Sequence, residues 1–203
     1  MSMFVPHILD REDWSQGSVA RILKETGNGV AAAALSQAAL RANEEMAPRL
    51  VRFLAAVSPQ EANSVIHTIL SAPAEDHLIS ACLQVMSQPA DLALVRSLLG
   101  HPRWHVRMHA ATALGRLGER GDEDLLVPLL ADDQWWVRYR AAQGLIALPF
   151  IGRDGLQRIH LAQQDPYARD ITGQVLAEWE LSEESALEGS RRPAVAQLIP
   201  AST

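Results

Sequence analysis

The fold this sequence predicts is an all-α solenoid: a superhelix of about five antiparallel helix pairs. Three observations predict it. From Leu99 to Leu176 the chain repeats itself every 31 residues, so that Leu99 becomes Leu130 and Leu161, and Val106-Arg107 becomes Val137-Arg138 and Ala168-Arg169. Likewise Ala110-Ala111 becomes Ala141-Ala142 and Thr172-Gly173, Leu114 becomes Leu145 and Leu176, and Trp104 becomes Trp135 and Pro166. A fixed period of this length means one supersecondary unit stacked on copies of itself. Second, each copy reads as two helices parted by a polar turn. Third, the chain has 203 residues, of which 48% are hydrophobic, enough for one extended domain with a sizeable core.

Residues 1–29 read as an irregular segment followed by a short capping helix over Ser18–Thr26, with Gly27-Asn28-Gly29 as a turn. The solenoid spans 30–181. Val30–Asn43 and Met46–Val57 form its first pair. Ser58-Pro59-Gln60-Glu61 reads as a capping box with proline at the first helical position; it opens a helix to Ser71, whose partner is Asp76–Met86. In the clearest unit, Asp122, Glu123 and Asp124 suit the positive end of a helix dipole. Leu125, Leu126, Leu129 and Leu130 follow at helical spacing, and Asp132-Asp133-Gln134 breaks the helix. Trp135 then opens a second helix whose inner face is Val137, Ala141, Ala142, Leu145 and Leu148. The paired alanines let neighbouring helices approach closely, and the leucines fill the remaining volume. Gly100, Gly118 and Gly121 stand where helices end, as residues that adopt positive φ without penalty. Asp165-Pro166 supplies an N-cap and a first-position proline in the last copy. From 182 to 203 the composition shifts to Ser, Glu, Gly and Pro, the mark of a flexible tail.

The bulk chemistry narrows the function. A net charge of −6 argues against a general phosphate-binding protein, which needs a basic stripe. Cys82 is the only cysteine, so no intramolecular disulfide is possible; its apolar surroundings mark it as a small buried hydrophobe. The sequence shows neither a secretory signal nor a run of about 20 apolar residues that could span a membrane, so the expected location is the cytoplasm. His101, His105 and His109 are spaced four apart, and His105 and His109 could share a helical face, but no third ligand accompanies them and no metal is expected. No nucleophile elbow, P-loop or dinucleotide fingerprint is present. The chain reads as no enzyme and as needing no cofactor.

The turn segments Leu99-Gly100-His101-Pro102-Arg103-Trp104-His105-Val106-Arg107 and Leu130-Ala131-Asp132-Asp133-Gln134-Trp135-Trp136-Val137-Arg138 resemble HEAT-like repeats, of the short bacterial type also found in phycobilin lyase subunits. The resemblance covers Leu94–Trp179 well and Val30–Met86 weakly. It implies a ladder in which Arg107, Arg138 and Arg169 pair with acids of neighbouring turns, here Asp132, Asp133 and Asp165; the first turn, with His101-Pro102-Arg103, lacks its acid. It also implies that the second helices line the concave face.

Positions on those helices that do not face the core are His105, Met108, His109, Thr112 and Arg116, then Trp136, Tyr139, Arg140 and Gln143, then Tyr167, Asp170, Ile171, Gln174 and Glu178. Stacking is expected to align His105, Trp136 and Tyr167 into an aromatic row, with Tyr139 and Arg140 one turn along. Trp104 and Trp135, at first helical positions, read as fillers of the inter-repeat groove, and Trp14 and Trp179 as covers of the solenoid ends. Aromatics and arginine are the residues that anchor interfaces. The partner-binding set is therefore His105, Met108, His109, Trp136, Tyr139, Arg140 and Tyr167, and the function expected is a scaffold or adaptor for a protein or peptide. Two alternatives come from other HEAT-like proteins. One is a DNA binder of the alkylpurine glycosylase type, using Trp136, Arg140 and Asp170, which the acidic balance and the single Lys24 disfavour. The other is an accessory subunit of a lyase or chaperone.

Overall fold

The computed structural model describes residues 14–25, 27 and 29–191. The irregular segment expected at the N-terminus, the Trp14 side chain, Asn28 of the expected turn, and 192–203 lie outside the described residues. The helices are α1 (Trp14–Glu25), α2 (Gly29–Arg41), α3 (Ala47–Val57), α4 (Pro59–Leu70), α5 (Asp76–Val85), α6 (Leu92–Leu98), α7 (Trp104–Leu117), α8 (Glu123–Leu126), α9 (Trp135–Ala147), α10 (Gly152–Ala162) and α11 (Pro166–Arg191). A 3₁₀ turn at Pro89–Asp91 leads into α6, and another at Val127–Ala131 prolongs α8, because Pro128 cannot donate to a continuing α-helix.

The arrangement is an all-α solenoid. The second helices α3, α5, α7, α9 and α11 touch one another in sequence along the molecule. The first helices α2, α6, α8 and α10 each pack on the second helix of their own pair, while α4 leans mainly on α2 and α3. The capping helix α1 rests on α3. The HEAT-like resemblance implies that this row of second helices is the inner one.

The 31-residue register holds across α7, α9 and α11. Val106, Val137 and Ala168 are fully buried, as are Ala110, Ala111, Ala141, Ala142 and Thr172. Leu114 and Leu145 are fully buried and Leu176 nearly so. One core joins most of these residues to Val51, Ile66, Leu83 and Met86; a second, around Leu35, Leu50, Phe53, Leu54 and Val65, holds the first units together. Cys82 lies inside the first core, and burial pushes its thiol up to about 12, so it is an inert space-filler.

The close approach of α7 and α9 rests on two glycines that the repeat does not announce. A Cβ on Gly115 would stand 2.5 Å from the Cα of Gly144, and one on Gly144 would stand 2.9 Å from the carbonyl oxygen of Ala111. The helices therefore meet backbone to backbone there, closer than the alanine pairs alone require. Of the three glycines expected to use positive φ, only Gly121 does, at +100°. Gly118 is needed for room instead: a Cβ there would lie 2.6 Å from the Leu114 carbonyl oxygen and 2.7 Å from a Leu148 methyl.

Several expectations are corrected. Leu161 is not equivalent to Leu99 and Leu130: it is 71% exposed, whereas they are buried. In the last unit the first helix is offset by one residue, so burial falls on Leu156, with Ile159 and His160 half-buried. His160 then occupies the leucine position 30 residues beyond Leu130, and its Nδ1 lies 2.9 Å from the hydroxyl of buried Thr172. Ser58 precedes α4, yet its side chain makes no capping bond. The segment expected to leave the fold at 182 is helical to Arg191 as a continuation of α11.

Candidate functional site on the inner face

The turns that start the second helices carry the most regular polar geometry. Arg107, one helical turn into α7, donates from Nη1 to the carbonyl oxygens of His101 and Pro102 at 2.9 and 3.1 Å. Its Nε and Nη2 grip the two oxygens of Asp132 at 2.7 and 2.8 Å, and Nη2 also reaches Asp133 at 3.0 Å. Planar guanidinium and planar carboxylate match in this two-pronged bond. Burial works against the Asp132 charge, but the bonds from Arg107 and from the Gln134 N–H outweigh it and hold the carboxyl below the ordinary range. In the next unit Arg138 donates to the carbonyls of Asp132 and Asp133 at 2.8 and 3.3 Å, and in the last Arg169 donates to that of Gln163 at 2.7 Å. Three arginines thus clasp the carbonyl six residues upstream.

Residues 77–146 match the family model for HEAT repeats. No curated protein matches the chain. The HEAT-like match starts in α5, earlier than the turn motifs alone suggest, and stops in α9. It leaves out the last unit, where the first helix is offset by one residue.

The expected ladder is only partly built. Arg107, Asp132 and Asp133 form a rung; among the described residues Arg138 and Arg169 do not meet an acid. Asp165 is not their partner, because its carboxylate accepts the Ala168 N–H at 2.8 Å and caps α11. The first turn does find an acid one unit back: Arg103 Nε donates to Asp76 at 3.1 Å, and His101 lies 3.8 Å from the same carboxylate.

A second ladder runs along the first helices and was not foreseen. Buried Asp91 and Asp122 stand 31 residues apart. Asp91 accepts the N–H groups of Ser87 and Gln88 and meets His67 Nε2 at 2.9 Å. Asp122 accepts the Glu119 N–H at 2.7 Å and both prongs of Arg96 at 2.7 and 3.0 Å. Burial opposes the Asp122 charge, yet these bonds keep it below the usual carboxylate range. The signal was present as a 31-residue spacing of aspartates.

On the inner face, the partner-binding residues expected from sequence fall into two groups. The first is polar. Arg52 donates to Gln84 at 2.9 Å, and the Gln84 amide lies 3.0 Å from His109 Nε2. Arg116 donates to the carbonyls of Leu83, Gln84 and Met86, covering the end of α5. Burial, with the cations Arg140, Arg52 and Arg116 and nearby His105, pushes His109 down to about 4, so it is neutral at pH 7. Met108 is half-buried beside it, and its carbonyl accepts the Thr112 hydroxyl. This cluster of arginines is hidden in the negative overall charge. Arg52 and Gln84 lie outside the clear copies, so no periodic signal pointed to them.

The second group is aromatic. Trp135 and Trp136 meet edge-on at 4.7 Å, Trp135 stacks on Tyr139 at 5.0 Å, and Arg140 lies 5.8 Å over the Tyr139 ring. Trp135 is 40% exposed and Trp136 50%, so Trp135 belongs to this cluster as much as to the groove it was expected to fill. Tyr139 donates to Glu178 at 2.8 Å, tying α9 to α11. Arg140 bonds Gln143 at 2.7 Å, and Gln174 bonds Glu178 at 2.8 Å.

His105, Trp136 and Tyr167 do not stack into one row. His105 stacks backward on His77 at 5.6 Å, and Tyr167 lies under the guanidinium of Arg138 at 5.1 Å. Ile171, expected on the open face, is only 3% exposed. Its equivalents His109 and Arg140 are half-buried, so this position borders the helix contact, and an apolar side chain there goes under. Trp179 stays 37% exposed. Among the described residues no group of His, Cys, Asp or Glu is placed to hold a metal ion, and no helix is long and apolar enough to cross a membrane. His101, His105 and His109 turn to different partners: Asp76, His77 and Gln84.

Proposed function

We propose that this HEAT-like chain is a non-enzymatic scaffold that holds a protein partner on the inner row of second helices, with Trp136, Tyr139 and Arg140 as its anchor. The observation that carries the reading is the cluster of exposed Trp135 and Trp136 with half-buried Tyr139, and Arg140 over the Tyr139 ring. Large rings held by neighbours lose little freedom on binding, and tryptophan, tyrosine and arginine dominate measured hot spots. His105, Met108 and His109 continue the surface toward the arginine cluster, and Tyr167 toward the C-terminal unit.

The test is affinity capture with the parent chain, identification of the captured partner, and measurement of its Kd against Trp136→Ala and Tyr139→Phe. Truncating Trp136 is expected to weaken binding about 30-fold, equivalent to about 2 kcal/mol. Tyr139→Phe keeps the ring, and the reading expects it to bind like the parent. A partner that binds Trp136→Ala as tightly as the parent removes the anchor.

A further inference from the structure

Arg107 and Arg138 stand 31 residues apart and begin with the same contacts. Each turns Nη1 onto the carbonyls six and five residues upstream. On Arg107 the opposite edge, Nε with Nη2, is filled by the Asp132 carboxylate. On Arg138 that edge has no acid. The residues 31 positions beyond Asp132 and Asp133 are Gln163 and Gln164. The backbone there is equivalent, because Arg169 holds the Gln163 carbonyl as Arg138 holds that of Asp132. Only the carboxylate is missing, and Arg138 Nε is buried without a hydrogen-bond partner. Buried donors in folded proteins are paired in the great majority of cases.

Beside this fork lies a pocket of about 270 Å³ lined by Trp135, Arg138, Tyr167, Asp170, Ile171 and Gln174. Tyr167, the ring nearest the fork, is 65% exposed and so has few neighbours holding it in place. We infer that the Arg138 fork is a carboxylate-binding site, filled by an acidic side chain of the partner where the preceding unit fills its own with Asp132. The inference rests on the scaffold reading and gives the partner a chemistry: an aspartate or glutamate, with an apolar neighbour laid against Trp135. A carboxylate suits the site better than a phosphate. The same fork already takes a carboxylate one unit back, and exposed Asp170 in the pocket wall opposes a second negative charge.

The arginine Nε–H resonances test it in the intact chain. Arg107 serves as the occupied reference. Titration with N-acetyl-Asp-Leu-amide is expected to move the Arg138 Nε–H signal toward the Arg107 position, saturably and in the millimolar range expected of one charge-assisted contact. N-acetyl-Asn-Leu-amide is expected to leave it in place, and Arg107 should respond to neither. Gln163→Asp supplies the absent acid within the chain: its Arg138 signal should sit at the bound position without peptide and no longer respond to it. No movement up to about 20 mM dipeptide, well above the millimolar range, overturns the proposal, as does an equal response to the amide control. Inorganic phosphate or duplex DNA moving the signal where the dipeptide does not overturns the carboxylate in favour of a phosphate ligand. Failure here is separable from failure of the scaffold: a silent fork with Trp136-dependent capture removes only this site, and a responsive fork with Trp136-independent capture removes only the anchor.

Discussion

Gly115→Ala places one methyl group where the backbones of α7 and α9 meet. The added Cβ would lie 2.5 Å from the Gly144 Cα and 3.0 Å from its carbonyl oxygen, so the helices must part by about 1 Å to restore ordinary contact near 3.4 Å. Neither obstacle is a flexible side-chain end; both are helix backbone. Overpacking of this kind costs about 1–3 kcal/mol, and a backbone clash belongs at the upper end. Against it stands the better helix propensity of alanine, about 1 kcal/mol in a helix interior. The expected net loss is about 1–2 kcal/mol, which in a chain of this size lowers Tm by about 2–8 °C. Gly17→Ala is the matched control: it lies within α1 with nothing within 4 Å of the added Cβ, so only the propensity remains and stability should rise by up to about 1 kcal/mol. Urea denaturation followed by far-UV circular dichroism, beside a thermal melt, reads both. A Gly115→Ala chain as stable as the parent would show that α7 and α9 are not in backbone contact, and the close-packed inner row would lose its tightest junction.

Two further outcomes follow from the buried charges. Asp122 and Asp132 are held below their unfolded values, so the unfolded chain binds more protons in acid; their stabilisation is complete above about pH 5 and is lost as pH falls below about 4 through their depressed folded values. Asp122→Asn and Asp132→Asn should each lower the urea midpoint at pH 7 and flatten its acid decline, and an unchanged decline in both variants refutes the pairing with Arg96 and Arg107. His109 has the opposite linkage from a paired histidine. Its folded value is pushed down to about 4 from 6.5, so between those values the unfolded chain again binds more protons, and stability falls as pH drops from about 6.5 toward 4. The His109 ring proton resonances should show a neutral ring at pH 5, and His109→Gln should remove that part of the pH dependence; a ring titrating near 6.5 refutes the burial among arginines.

The helices were readable because burial along the second row depends on one quantity, the spacing of small and branched apolar residues. That spacing is preserved at Val106, Val137 and Ala168, and the structure buries all three. It failed at Leu161 because the first helices answer to a different constraint. A residue added in the turn before Pro166 moves the preceding helix by one position, and a one-residue shift rotates a helix by about 100°. Leu156 then takes the core, and Leu161 turns out. Side-chain pairing was less readable than burial. Asp165 and Asp132 look alike in sequence, yet a cap bond to Ala168 uses one and a guanidinium holds the other. Whether a short carboxylate caps its own helix or reaches across a turn depends on which donors lie within 3 Å, and spacing does not state that. Gly115 and Gly144 were passed over because they are not 31 residues apart: they meet each other across the interface and do not occupy the same place in two units. Arg52, Arg116 and Arg140 come from three units at three different repeat positions, so only the folded chain brings their charges onto His109.

Two of these departures, the offset first helix and the missing acid, fall in the last unit, and that placement bears on the proposed docking site. In a stack of identical units each rung is satisfied by the next, so inner units leave no polar group seeking a partner. Arg107 obeys that rule. At Arg138 the following unit keeps the helix and the clasped carbonyl but withdraws the acid, substitutes Gln163 and Gln164, and sets Tyr167 across the gap. The Trp135–Trp136–Tyr139 cluster borders the same junction, since Trp135 both stacks on Tyr139 and lines the Arg138 pocket. Exposed apolar rings and an unfilled charged fork within one junction are each destabilising for an isolated solenoid. In the proposed scaffold function both costs would be offset by a single event, the arrival of a segment that covers the rings and supplies the acid. The α9–α11 junction is therefore where the repeat stops serving its own stacking, and the proposed scaffold function places its partner there.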